Sequence, residues 1–136
     1  MIKSYLYTVV AGTIGAGEWN SDQTNPLYIT GRFIGFQIRN SSFIGAPGSL
    51  SVETLNSQDG ITKNDALFGL NPVTDTDFVD VFYQCVDTAG NAIAAQYDNR
   101  FVINSFINAY YLSGTDGDTF DLELLFDIEE LASYMA

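Results

Sequence analysis

Thr119-Phe120-Asp121-Leu122-Glu123-Leu124-Leu125-Phe126-Asp127-Ile128 is the stretch on which the fold class turns. Phe120, Leu122, Leu124, Phe126 and Ile128 share one parity, and Asp121, Glu123, Leu125 and Asp127 share the other. Side chains of an extended chain point alternately to opposite faces, so a period of two separates an aromatic and aliphatic face from one that carries three carboxylates. The stretch therefore predicts a half-buried β-strand. It predicts no reaction, and no other segment does so.

The same signal recurs outward from this strand. Tyr5, Tyr7 and Val9 alternate with Leu6, Thr8 and Val10; after a loop from Gly12 to Pro26, Ile34, Phe36 and Ile38 alternate with Gly35, Gln37 and Arg39 within Leu27 to Arg39. Ala46-Pro47-Gly48 is a turn signal before a strand at Ser49 to Leu55, and Gln58-Asp59-Gly60 turns the chain again. Asp65 to Leu70, closed by Asn71-Pro72, reads as one helical turn. Phe78 to Val86 is rich in Val, Phe and Tyr, and Asp87-Thr88-Ala89-Gly90-Asn91 is a hairpin loop into Ala92 to Tyr97. Phe101 to Leu112 is apolar on both parities, and its Val, Ile, Phe and Tyr content favours a strand. The tail from Glu129 to Ala136 reads as a helical turn. Strands separated by turns every eight to fifteen residues predict an all-β fold, a two-sheet antiparallel sandwich of jelly-roll or related Greek-key topology with about eight strands. Residues 1–136 read as a single β-sandwich domain, whose long loops, Gly12 to Pro26 and Gln58 to Asp77, are the places for variable function.

A chain of 136 residues buries roughly 68% of its unfolded surface, enough for a core without staples. Cys85 is the only cysteine; with Val81, Tyr83 and Val86 around it and no cation near, it reads as a buried structural thiol. Histidine is absent, which excludes Ser-His-Asp and Cys-His nucleophilic sites, HExxH zinc sites and histidine proton shuttles within the chain. The net charge of −12 is uneven. Residues 1–63 balance Lys3, Arg32, Arg39 and Lys63 against Glu18, Asp22, Glu53 and Asp59, whereas residues 64–136 set thirteen acids against Arg100 alone. That asymmetry argues against binding nucleic acid or an anionic membrane, and favours a solvated acidic face, cation binding or a basic partner. No apolar run reaches the eighteen residues of a membrane helix. Met1 to Gly17 imitates a signal peptide, but its apolar part is short, contains Thr8 and two tyrosines, and alternates; a first strand is the better reading, with retention in the cytoplasm until assembly or lysis.

Candidate sites are few. Gly12, Gly15 and Gly17 fit neither G-x-G-x-x-G nor a Walker pattern, so loop formation explains them. Asp116, Asp118 and Asp121 supply enough oxygens near one turn to make calcium the one cofactor suggested, although the EF-hand pattern is not met and aspartates are ordinary turn residues. Asp75, Asp77 and Asp80, and Asp59 with Asn64 and Asp65, are lesser clusters of the same kind. Paired carboxylates drawn from strand residues such as Glu53 and Asp80 would suit glycoside hydrolysis, but charges on alternate strand positions ordinarily mark the wet face. Trp19, with Asn20 and Asp22 beside it, is the ligand-contact candidate: an exposed indole stacks on a sugar ring while amide and carboxylate bond its hydroxyls. The competing reading has Trp19 cap one end of the core, and Tyr110-Tyr111 divides in the same way. Asn40-Ser41-Ser42 matches a glycosylation sequon, which has no force without a secretory signal.

The layout of the whole chain resembles small jelly-roll structural proteins of viral, especially bacteriophage, particles. The likeness rests on Leu27-Tyr28-Ile29-Thr30-Gly31-Arg32-Phe33-Ile34-Gly35-Phe36-Gln37-Ile38 and on the closing Gly117-Asp118-Thr119-Phe120-Asp121-Leu122-Glu123-Leu124-Leu125-Phe126, a Gly-Asp turn into a long alternating strand. The resemblance implies a non-enzymatic capsid, vertex or decoration component of a virion, made in a host cytoplasm. Its partners would be itself and other capsid proteins, with a basic surface suited to its acidity. No catalytic residues carry over. The alternative expectation is a carbohydrate-binding or receptor-recognition β-sandwich that uses its loop aromatics on a glycan.

Overall fold

A computed structural model describes residues 1–12, 15–21, 27–55, 63–80 and 102–128, with the side chains of 63–65 and 80 left aside. Its elements are β1 (Ile2–Val10), β2 (Trp19–Asn20), β3 (Leu27–Ser42), β4 (Ser49–Leu55), β5 (Lys63–Leu70), β6 (Thr76–Asp80), β7 (Val102–Leu112) and β8 (Thr119–Ile128). The protein is all-β, with no helix among the described residues. β8 has the boundaries its alternation predicts, and Phe120, Leu122, Leu124 and Phe126 are all buried while the residues between them are half-exposed. β2 lies inside the expected loop from Gly12 to Pro26.

One element differs in type. Asp65 to Leu70 is not a helical turn but the larger part of β5, paired with β4 through Leu50↔Leu70, Ser51↔Gly69 and Val52↔Phe68. An isolated helical turn gains one hydrogen bond for several fixed dihedrals, whereas a neighbouring strand supplies a ladder and a face on which Phe68 packs. Cys85, the hairpin loop Asp87 to Asn91, the strand Ala92 to Tyr97 and the tail from Glu129 lie outside the described residues.

The described ladders are antiparallel and run in the order β1-β8-β3-β7-β4-β5, with β2 attached to β7 and β6 to β3. The sixteen residues of β3 connect the two halves. Leu27–Arg32 pair with β7, Gly31–Ser42 pair with β8, and Gly35–Ile38 pair with β6. Gly31 belongs to both the β7 and β8 ladders, and a Cβ there would collide with the Asp127 carbonyl oxygen. Its φ of +154° is one that residues with a side chain rarely adopt. Taken as two runs, β1-β8-β3-β6 and β2-β7-β4-β5, the pairing is compatible with a jelly roll, its layers being two halves of one continuous eight-stranded sheet.

Ring contacts show that these halves face each other. Phe68 of β5 stacks on Phe36 and Phe33 of β3, with centroids 3.8 Å and 5.7 Å apart, although β7 and β4 separate those strands in the sheet order. Tyr111 of β7 meets Phe120 of β8 edge to face at 5.3 Å, and Trp19 of β2 meets Tyr7 of β1 at 5.8 Å. Val9, Ile29, Phe33, Ile38, Leu50, Val52, Leu122 and Phe126 fill the space between. Each such fully buried side chain contributes about 1.5–3 kcal/mol.

Candidate functional site

The acids of β8 have close intramolecular neighbours. Arg32 and Arg39 of β3 stand opposite Asp127 and Asp121 in the ladder. Arg39 Nη2 lies 3.4 Å from Glu123 Oε2, Asn40 Nδ2 donates to Asp121 Oδ2 at 2.8 Å, and the Met1 ammonium sits 3.0 Å from Asp127 Oδ1. Among the described residues, the acids of β8 from the second half of the sequence thus lie beside cations and an amide from the first half. These exposed pairs stabilise by at most about 1 kcal/mol each.

Asp116, Asp118 and Asp121 turn to separate partners. Asp116 Oδ1 accepts from Gly17 N–H at 2.6 Å, and Asp121 is held by Asn40. Asp118 is fully buried and accepts three hydrogen bonds, from Ile44 N–H (2.8 Å), Thr115 N–H (2.8 Å) and the Tyr111 hydroxyl (2.9 Å). The Tyr111 hydroxyl in turn accepts from Gly48 N–H at 2.7 Å. Asp118 therefore ties the β7–β8 turn to the β3–β4 loop around one tyrosine. Burial pushes its carboxyl up, but the hydrogen bonds from Thr115, Ile44 and Tyr111 outweigh that and hold it below the ordinary aspartate value. Burial raises the Tyr111 phenol most; the hydrogen bond from Gly48 N–H works against it, and the bonded Asp118 carboxylate adds to the rise. Of the lesser clusters, Asp75 Oδ1 accepts from Ser41 N–H at 3.2 Å, while Asp59 and the side chains of Asn64, Asp65 and Asp80 lie outside the described residues. Among the described residues no three His, Cys, Asp or Glu side chains gather around a common point.

Trp19 and Asn20 do come together at a cavity of about 210 Å³, which they line with Glu18, Glu53, Asn108 and Tyr110. The ladders explain the convergence. Asn20 stands opposite Tyr110 across β2 and β7, and Glu53 stands opposite Asn108 across β4 and β7, so two cross-strand pairs share one face. Glu53 and Asn108 are buried, at 6% and 7% exposure, although their faces lie opposite the core face of Val52 and Ala109. The chain after β2 is clamped there by Ser21, whose hydroxyl accepts from Ala109 N–H at 2.9 Å and reaches Asn108 Oδ1 at 3.4 Å. Trp19 is half-buried and packs on Tyr7 and the core, opposite the buried Tyr111 in the β2–β7 pair, and it borders the cavity beside Asn20. Asp22 lies outside the described residues. In sequence Glu53 is a candidate internal carboxylate weighed against the wet-face reading of alternating charges; only the β4–β7 register shows its position in this cavity.

A second surface feature lies on β1. It pairs with β8 on one side, and no described strand pairs with its other edge. Ile2, Leu6 and Val10 point away from the core and are 56%, 59% and 39% exposed, while Tyr5, Tyr7 and Val9 pack inward. Lys3 is the one charged side chain in β1.

No protein-family model, curated protein or solved structure matches this chain.

Proposed function

We propose that the protein is a non-enzymatic structural component of a virus particle, acting through protein–protein assembly. The observation that carries this reading is the row of three exposed aliphatic side chains, Ile2, Leu6 and Val10, on the outward face of β1. The pairing order, compatible with a jelly roll, supports it. So does the use of the buried Asp118 as a structural tie and the absence of histidine from the sequence. Antibody raised against the purified chain should label particles released by cells that express it, and sedimentation velocity should show concentration-dependent association. Unlabelled particles together with a strictly monomeric protein would overturn the reading.

The cavity favours a second reading, glycan binding at Trp19 and Asn20. Among the described residues its lining contains aromatic surface, amides and carboxylates but no cation, and its volume is below the roughly 300 Å³ at which drug-sized ligand pockets begin, so one sugar ring is the size it suits. Because Trp19 also packs on Tyr7, the informative variants are Tyr110→Ala and Asn20→Ala. Each is expected to weaken binding on a glycan array at least tenfold with the thermal midpoint nearly kept, and an array blank for the unaltered protein removes this reading.

A further inference from the structure

β7 forms the floor of the cavity. Ile107, Ala109 and Tyr111 are buried in the core, so Asn108 and Tyr110 take the opposite face, and both line the cavity. β7 pairs with β2 along one edge and with β4 along the other, which sets the two flanking strands about 9.5 Å apart. Asn20 stands opposite Tyr110 on the first side and Glu53 opposite Asn108 on the second, while Glu18 adds a carboxylate next to β2. Trp19 pairs with Tyr111 and so has the inward parity, which leaves the Tyr110 ring as the aromatic surface of the floor.

Asn108 supplies an unspent donor. It is only 7% exposed; its Oδ1 is reached by the Ser21 hydroxyl at 3.4 Å, and among the described residues its Nδ2 has no hydrogen-bond partner. A nearly buried amide donor without an acceptor is costly, and a ligand oxygen removes that cost. Carboxylates only accept hydrogen bonds, so Glu53 and Glu18 offer acceptors on the two sides of the floor while Asn108 offers a donor from it. A hydroxyl both donates and accepts, so an uncharged hydroxylated ring satisfies both kinds of group at once. A ligand carboxylate donates nothing and faces two like charges, with no cation among the described lining residues to offset them.

We infer that the cavity takes an uncharged sugar ring laid on Tyr110, with Asn108 Nδ2 donating to one of its oxygens, and that it rejects sugars that carry a carboxylate. This rests on the glycan reading of the cavity and names its ligand class, with Asn108 as the donor that sets specificity.

Heteronuclear NMR titration of the isotope-labelled, unaltered protein tests it, with the methyl glycosides of glucose, galactose and mannose each set against the matching uronic acid glycoside. The members of a pair differ only in the oxidation of one hydroxymethyl group to a carboxylate. At least one hexoside is expected to bind and to move the Asn108 side-chain amide resonance, and its uronide to bind at least tenfold more weakly. Glu18→Gln, at an exposed position, keeps an acceptor and removes a charge, so it should narrow that ratio at least threefold. Asn108→Asp keeps an acceptor for Ser21 but replaces the free donor with a further carboxylate, and should weaken hexoside binding at least tenfold; an unchanged amide spectrum away from the cavity confirms that the variants fold. Equal affinity for hexoside and uronide, or hexoside binding that leaves the Asn108 amide unmoved, overturns this inference alone, as does a glycan array positive only for acidic sugars. No binding by any of these glycosides together with a blank array overturns the glycan reading as well.

Discussion

Asp118→Ala is expected to cost about 3–5 kcal/mol of stability, a large effect for the loss of one polar side chain. The substitution leaves Ile44 N–H, Thr115 N–H and the Tyr111 hydroxyl without the acceptor that each has in the folded protein, in a place where water has no access to Asp118 itself. Asp118→Asn retains one acceptor oxygen but turns an amide toward the remaining donors, so about 1–3 kcal/mol is expected. Urea unfolding at neutral pH measures both, and a loss below 1 kcal/mol for Asp118→Ala would show that the tie is not built as described.

The same residue gives a pH dependence with a definite sign. Its folded carboxyl titrates below the ordinary aspartate value, so the folded state prefers the charged form. The resulting stability is fully present above the unfolded value, about 3.9, and is lost as pH falls through the lower folded value. The unaltered protein should therefore lose its advantage over Asp118→Asn as the solution is acidified below about pH 4, and hold it unchanged between pH 5 and 8. A gap between the two that widens on acidification would contradict the direction of the shift.

Phe33→Ala is expected to be of similar severity, about 3–5 kcal/mol, through lost burial and the cavity left behind. Phe33 has no exposed surface and meets Phe68 at 5.7 Å and Phe126 at 5.5 Å. One of those contacts spans the two halves of the sheet. A double-mutant cycle of Phe33→Ala with Phe68→Ala should give a coupling of about 0.5–1.5 kcal/mol. Independent, additive losses would mean that the halves do not pack face to face.

Much of the fold is legible along the chain because alternation is a local property. β8 and β1 follow directly from their parity, and Val102–Leu112 of the expected strand is β7. β5 is hidden because it opens on Lys63-Asn64-Asp65 and becomes apolar only at Ala66; its strand character comes from the ladder with the preceding strand β4 and from Phe33 and Phe36, more than thirty residues earlier. The candidate site divides in the same way. Trp19 and Asn20 stand out by residue type, whereas Glu53 and Asn108 join them only through pairing with β7. Asp116, Asp118 and Asp121 cluster in sequence, but the fold gives them separate hydrogen-bond partners, Gly17, Ile44 and Asn40, on different elements.

Thr119 to Ile128 contains both kinds of information. Its alternation determines a strand with one buried and one polar face, since successive side chains of an extended chain leave on opposite sides whatever lies beside them. Where its acidic face looks is decided by tertiary pairing. β3 brings Arg32, Arg39 and Asn40 alongside Asp127, Asp121 and Glu123, and a ladder between residues some eighty to ninety-five positions apart leaves no trace in the local period of either strand. The side chains exposed on β1 likewise follow from its alternation, but that its second edge lacks a described partner strand is a property of the assembled sheet alone.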